Sequence, residues 1–160
     1  MEIFIILLLV IFSFSLAIFF GPPYLPIFNN RLAQIIELGQ LKSGDRLIDL
    51  GCGDGRLLRY AAKRGIQVIG YEINPILFLI CWLTTRRYSQ NVTLIFGNFW
   101  QKDFVEADVV YVFLLPRLMT KLAKKLDDYS YKPVKLISFS FIIPNRKIIK
   151  KMNNLFLYLF

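Results

Sequence analysis

Five short apolar runs, separated by segments with helical spacing, restrict what this chain can become. Arg46 to Leu50, Gln67 to Tyr71, Val92 to Phe96, Asp108 to Phe113 and Val134 to Phe141 are dominated by Val, Ile, Leu, Tyr and Phe. Strands that are apolar on both faces must be covered on both faces, which is the condition of a parallel sheet flanked by helices. The intervening segments carry helix punctuation. Asn30 is placed to cap a helix from Arg31 to about Leu38, and Gly65 to end one running from about Leu57 to Lys63. Asn74-Pro75 opens a third helix reaching about Tyr88, and Pro116 a Lys-rich one reaching about Leu126. The expectation is an α/β, doubly wound, mostly parallel sheet, with ligands bound outside the carboxyl ends of its strands.

The sheet is expected to be short at its C-terminal end. After Phe141 only 19 residues follow, with room for one further strand at Leu155 to Phe160. Such a sheet ends on an apolar edge that needs a cover.

Ahead of the domain, Ile3 to Phe20 is an uncharged run of 18 residues in which only Ser13 and Ser15 are polar. About twenty apolar residues span a bilayer as a helix, so residues 1–20 read as a transmembrane anchor. A cleaved signal peptide would need a positive start and a small-residue cleavage site, whereas Met1-Glu2 precede this run and Phe19-Phe20 end it. Residues 21–30 form a Pro-rich linker, and residues 31–160 the folded domain. Arg31, Lys42 and Arg46 follow the anchor and no cation precedes it, which places the domain on the cytoplasmic side of a single-pass membrane protein.

The net charge of +9 fits an anionic membrane surface better than a nucleic acid, given the anchor. The chain contains 0 histidines, which excludes His-dependent triads and His metal ligands. Cys52 and Cys81 suggest neither a disulfide framework nor a metal site and read as reduced thiols. No feature sets an oligomeric state.

The stretch D-L-G-C-G-D-G-R, Asp49 to Arg56, follows the first strand directly. It lacks the Lys-Ser or Lys-Thr of a phosphate-binding P-loop. It also lacks the third glycine of the dinucleotide fingerprint, since Arg56 stands where that glycine would be. Asp49 and Asp54 oppose a pyrophosphate and suit a ligand with a positive group. Glu72 ends the second strand, 19 positions after Gly53, where a carboxylate accepts both hydroxyls of a ribose.

At this point the chain resembles the class I, Rossmann-like S-adenosylmethionine-dependent methyltransferases, whose first motif is an acidic residue followed by G-x-G-x-G. The resemblance implies S-adenosyl-L-methionine as cofactor. Asp49 and the backbone of Gly51, Cys52 and Gly53 would hold its methionine end, and Gly55 would belong to the same cofactor-binding loop. Glu72 would hold its ribose, and Ile73 and Asn74 would flank the adenosine. Asn98 would accept the adenine amino group, with Phe99 or Trp100 stacked on the ring. Leu115 and Pro116 would face the transferred methyl, an apolar mouth suited to an aliphatic amine or a lipid. The order of anchor, P-P-Y-L-P, D-L-G-C-G-D-G-R, G-Y-E-I-N-P, G-N-F-W and V-V-Y-V-F-L-L-P is similar to the membrane-anchored lysine methyltransferases related to the ATP synthase c-subunit enzyme. That likeness implies a protein lysine as acceptor and a membrane as partner. A lipid or small-molecule acceptor, or a non-catalytic binding protein that keeps the fold, remain alternatives.

Overall fold

The computed structural model describes residues 3–8, 11, 27–102, 107–129 and 132–160. Most of the expected anchor and most of the linker lie outside the described residues. Residues 3–8 are helical with exposed side chains, and among the described residues no helix is long and apolar enough to cross a membrane.

The domain alternates as expected. Helix α1 (Asn29–Gly39) leads to β1 (Arg46–Leu50), α2 (Arg56–Ala62), β2 (Gln67–Glu72), α3 (Pro75–Thr85) and β3 (Val92–Phe96). Then come β4 (Val109–Val112), α4 (Pro116–Tyr129), β5 (Lys135–Phe139), β6 (Lys150–Met152) and β7 (Leu155–Leu159). One seven-stranded sheet has the order β3-β2-β1-β4-β5-β7-β6. The first five strands are parallel, and β7 pairs antiparallel with both β5 and β6.

Strand periodicity sorts the core into two layers. Leu47, Val109, Tyr111 and Ile137 face α1 and α2, where they meet Ile35, Leu38, Leu57 and Leu58. Ile48, Leu50, Val110, Val112 and Leu136 face the other way and meet Met119, Leu122 and Leu126 of α4. Alternate residues of one apolar strand thus bury themselves under different helices.

Two expectations are corrected here. The sheet is not short: Lys150–Met152 is a strand, and the Leu155 segment is the seventh strand, completing an antiparallel pair. Lys-Lys-Met is too brief and too charged to read as a strand from its composition, because it gains its place only by pairing with β7. The sign that was present is Asn153-Asn154 ahead of an apolar run, and Asn153 does adopt φ +52, as tight hairpin turns require. The second correction concerns Asn30, which lies inside the first turn of α1; Phe28 occupies the N-cap position without a side-chain cap.

Candidate functional site

The carboxyl ends of β1, β2 and β3 lie side by side, and the turn that follows each of them contributes to one edge of the sheet. The D-L-G-C-G-D-G-R turn is bound to the end of β2 by two hydrogen bonds. Cys52 N–H donates to the Tyr71 carbonyl at 2.9 Å, and Gly53 N–H donates to Glu72 Oε2 at 2.8 Å. Gly51 has φ +116 and Gly97, after β3, has φ +134; at both, a Cβ would meet no atom within 4 Å. Left-handed backbone here is a conformation that favours glycine. The open space above two such glycines leaves room for a ligand to lie against bare backbone.

Glycine is required for a different reason at Gly70, on β2. A Cβ there would lie 2.6 Å from Leu58 Cδ2 and 2.9 Å from Cys52 Sγ. Its absence lets the turn and α2 settle on the sheet. The sequence sign was an isolated glycine within an apolar strand.

Glu72 has two structural partners. Oε2 takes the Gly53 N–H and Oε1 takes the Asn74 N–H, each at 2.8 Å. Each carboxylate oxygen keeps a second lone pair for a diol. Burial raises the Glu72 pKa, opposed by the backbone N–H groups of Asn74, Gly53 and Ile73. Ile73 and Asn74 follow directly, and the Asn74 side-chain oxygen caps α3 by accepting from Ile76 and Leu77 N–H.

Asp49 is 2% exposed, and its carboxyl accepts no hydrogen bond among the described residues. Burial, and secondly the charge of Glu72, push its pKa up to about 8. Its partner across the sheet is Tyr111 on β4, whose hydroxyl is buried without a hydrogen bond. Burial also raises the Tyr111 pKa, with Asp49 adding to the rise and Arg31 opposing it. The unsatisfied Tyr111 hydroxyl therefore lies on the same face as the Asp49 carboxyl beside the glycine turn, and such a group is costly to bury alone. Sequence reasoning missed Tyr111; a polar-tipped residue in the middle of V-V-Y-V was its signal.

Asp54 departs from expectation. Its carboxylate lies 2.8 Å from Arg56 Nε and its carbonyl accepts from Arg59 Nη1, so its charge is matched within the turn. Gly55, at φ +79, starts α2 against Cys81 of α3. The thiols of Cys52 and Cys81 are in contact at 3.8 Å and both are free, and that contact, with burial, drives the Cys52 pKa well up.

Beyond β3, Asn98 Oδ1 accepts the Trp100 N–H at 3.0 Å and so closes a short 3-10 turn, Phe99–Gln101. The expected acceptor for an adenine amino group thus already takes one bond. The Phe99 and Trp100 rings lie against each other with centroids 4.7 Å apart, and Lys121 Nζ sits 4.6 Å from the Trp100 ring. At the end of β4, Leu114 is buried, Leu115 half-buried and Pro116 exposed at the start of α4. The Leu115 carbonyl accepts the Leu118 N–H. Phe113 stacks on Phe141 and tilts against Phe139, and the Arg31 guanidinium covers the Phe139 ring at 4.1 Å. These rings add an aromatic wall beside the apolar mouth.

This strand order, with a glycine turn after β1 and a carboxylate ending β2, defines the class I S-adenosylmethionine-dependent methyltransferases. Residues 49–150 match the ANTKMT methyltransferase domain, and the chain belongs to that family. It is 30% identical over 125 residues to a protein-lysine N-methyltransferase of Saccharolobus islandicus, covering 76% of this chain and 78% of that one. It is 29% identical over 127 residues to the ATP synthase c-subunit lysine N-methyltransferase of Xenopus laevis, covering 77% of this chain and 55% of the relative. The chain thus spans about half the length of the ATP synthase c-subunit enzymes it matches. An RNA methyltransferase of Salinibacter ruber, solved with S-adenosylhomocysteine, superposes with a TM-score of 0.76 at 26% identity, covering 84% of this chain and 92% of that one.

S-adenosylmethionine is the cofactor of this class, and the residues present fit it. Its cationic end suits an unpartnered buried carboxyl at Asp49, and its bulk suits the space over Gly51 and Gly97.

Proposed function

We propose that this protein transfers a methyl group from S-adenosylmethionine to a lysine amine of a protein at a membrane. The observation that carries the acceptor class is the match to a protein-lysine N-methyltransferase over about three quarters of both chains. When bound, the cofactor supplies an electrophilic methyl on a sulfonium. The chain's own residues bind, orient and desolvate. Asp49 takes the ammonium of the methionine end, while Gly51, Cys52, Gly53 and Gly55 shape the turn beneath it. Glu72 accepts the ribose hydroxyls with its remaining lone pairs while still holding the Gly53 and Asn74 amides. Ile73 and Asn74 flank the adenosine, and Asn98, Phe99 and Trp100 form its adenine end.

The acceptor enters past Leu114, Leu115 and Pro116. Leu114, Leu115 and Pro116 carry no polar side chain that would orient a planar amide or an exocyclic base amine, which supports an aliphatic amine. Transfer to a neutral amine needs alignment and water exclusion more than a general base. Phe113, Phe139 and Phe141 offer ring faces to an aliphatic chain and to the methylated ammonium product. The membrane location, with the domain on the cytoplasmic side, rests on the apolar run of residues 3–20 and on the cations that follow it.

The test is transfer of labelled methyl from S-adenosylmethionine to membranes, with label then separated into protein, lipid and RNA. Label in protein, recovered as methylated lysine after hydrolysis, is the expected result. Label confined to lipid or to RNA refutes the lysine reading, and no binding of S-adenosylmethionine refutes the enzyme reading itself.

A further inference from the structure

Helix α3 buries Leu77, Cys81 and Thr85, one residue per turn, against the sheet and α2. Its opposite face should therefore be polar. Instead it presents Leu79, Ile80, Trp82 and Leu83, which are 54%, 40%, 51% and 47% exposed. Positions 79, 82 and 83 have the spacing of one helical stripe, and the 3-10 turn that follows α3, Arg86–Tyr88, sets the exposed cations Arg86 and Arg87 at its end. Beside it, Phe96 at the end of edge strand β3 is 55% exposed and touches Phe78 with ring centroids 5.2 Å apart. Scattered exposed leucines need no explanation, but a continuous apolar stripe rimmed by cations marks a contact surface.

We infer that this face of α3 lies in the headgroup layer of an anionic bilayer. The helix carries no acidic residue, and Arg86-Arg87 stand at one end of the stripe, where they reach lipid phosphates while the apolar side chains enter the acyl boundary. Trp82, amphipathic and central, is the residue type that settles at that depth. The chain's net charge of +9 adds long-range attraction to the same surface. Pairing two copies through this face would gather four arginines with no acid on either helix, so charge disfavours a second copy as occupant. The contact is independent of which acceptor is methylated. It brings the β2–α3 junction, and with it the cofactor edge, close to the bilayer plane.

The test uses the full chain bound to vesicles of phosphatidylcholine and phosphatidylglycerol carrying shallow brominated lipid, with tryptophan emission as readout. Quenching in the wild type and its loss in Trp82→Phe, where Trp100 remains as the internal reference, is the expected result. In Arg86→Gln/Arg87→Gln quenching should also fall, and high salt should reproduce that fall in the wild type. Vesicle-bound protein whose Trp82 is not quenched overturns the inference. So does self-association abolished by Leu79→Gln/Leu83→Gln, which would assign the face to a second copy. The replaced side chains are exposed, so unchanged thermal unfolding identifies variants that remain folded. Methyl transfer is scored separately, and its failure would leave the quenching result intact.

Discussion

Replacing Asp49 by asparagine tests the electrostatics of the cofactor edge at its centre. The unfolded carboxyl titrates near 3.8 and the folded one at about 8. Between those values the folded state holds more protons than the unfolded one, so stability falls as pH rises through the window, by at most about 1.4 kcal/mol per pH unit. Asparagine keeps the shape without the charge. From pH 5 to pH 7 the wild type should lose roughly 2–3 kcal/mol relative to Asp49→Asn in the absence of cofactor. Calorimetric unfolding across this range reads the difference directly. Binding supplies the complementary signal. At pH 7 a carboxyl with pKa about 8 is about nine-tenths protonated, and a ligand ammonium stabilises its ionised form, so binding expels close to one proton. Titration of S-adenosylhomocysteine in two buffers of different ionisation enthalpy counts that proton. Asp49→Asn should release none and bind more weakly. Equal pH slopes and equal proton counts in the two proteins would refute the reasoning, because Asp49 would then be ionised before the cofactor arrives.

Three further outcomes follow from the same edge. Glu72→Gln retains one acceptor for the backbone but loses charge-assisted bonds of about 1.5–3 kcal/mol, a roughly ten- to hundredfold loss in affinity for S-adenosylhomocysteine. Near-normal affinity by titration would remove Glu72 from the ribose site. Tyr111→Phe deletes a buried hydroxyl that has no hydrogen bond, so the cofactor-free protein should gain about 1–3 kcal/mol by denaturant unfolding. A loss of stability would mean that the hydroxyl has a partner. Gly55→Ala places a Cβ 2.6 Å from Cys81 Sγ at φ +79 and should destabilise by roughly 2–3 kcal/mol. Adding Cys81→Ala should relieve the clash but not the backbone strain, and full additivity of the two changes would show that they do not meet.

The parallel half of the fold was legible because β1, β2, β4 and β5 are largely buried, and such strands carry their own record as apolar runs. Half-buried at the sheet edge, β3 keeps enough of that pattern to be read. Strand β6 left no such record. Lys150, Lys151 and Met152 become a strand only through β7, so local composition reported their charge and concealed their pairing. The glycine turn and Glu72 were legible as a spacing, since each lies next to a strand end whose position the apolar runs had set. Asp54 was misread for a local reason: its carboxylate turns to Arg56, two residues on, and leaves the ligand side to Asp49. Asn74 was read as a helix cap and is one, whereas Asn98 was read as an acceptor for the ligand. The structure commits both side-chain oxygens to nearby backbone amides.

The sequence by itself determined the class of fold, the strand end at which a ligand binds and the chemical character of that ligand. These follow from hydrophobic pattern, backbone freedom and charge, which are properties of short segments. Tertiary structure decided what depends on residues distant in sequence. It set Tyr111 beside Asp49, brought Gly53 onto Glu72 and made Gly70 the clearance for the turn. It also left the wrong face of α3 apolar. The sequence made α3 an apolar helix without saying which of its faces would be covered. Only its position at the β3 edge of the sheet, with no further helix beyond it among the described residues, turned that second apolar face into a surface.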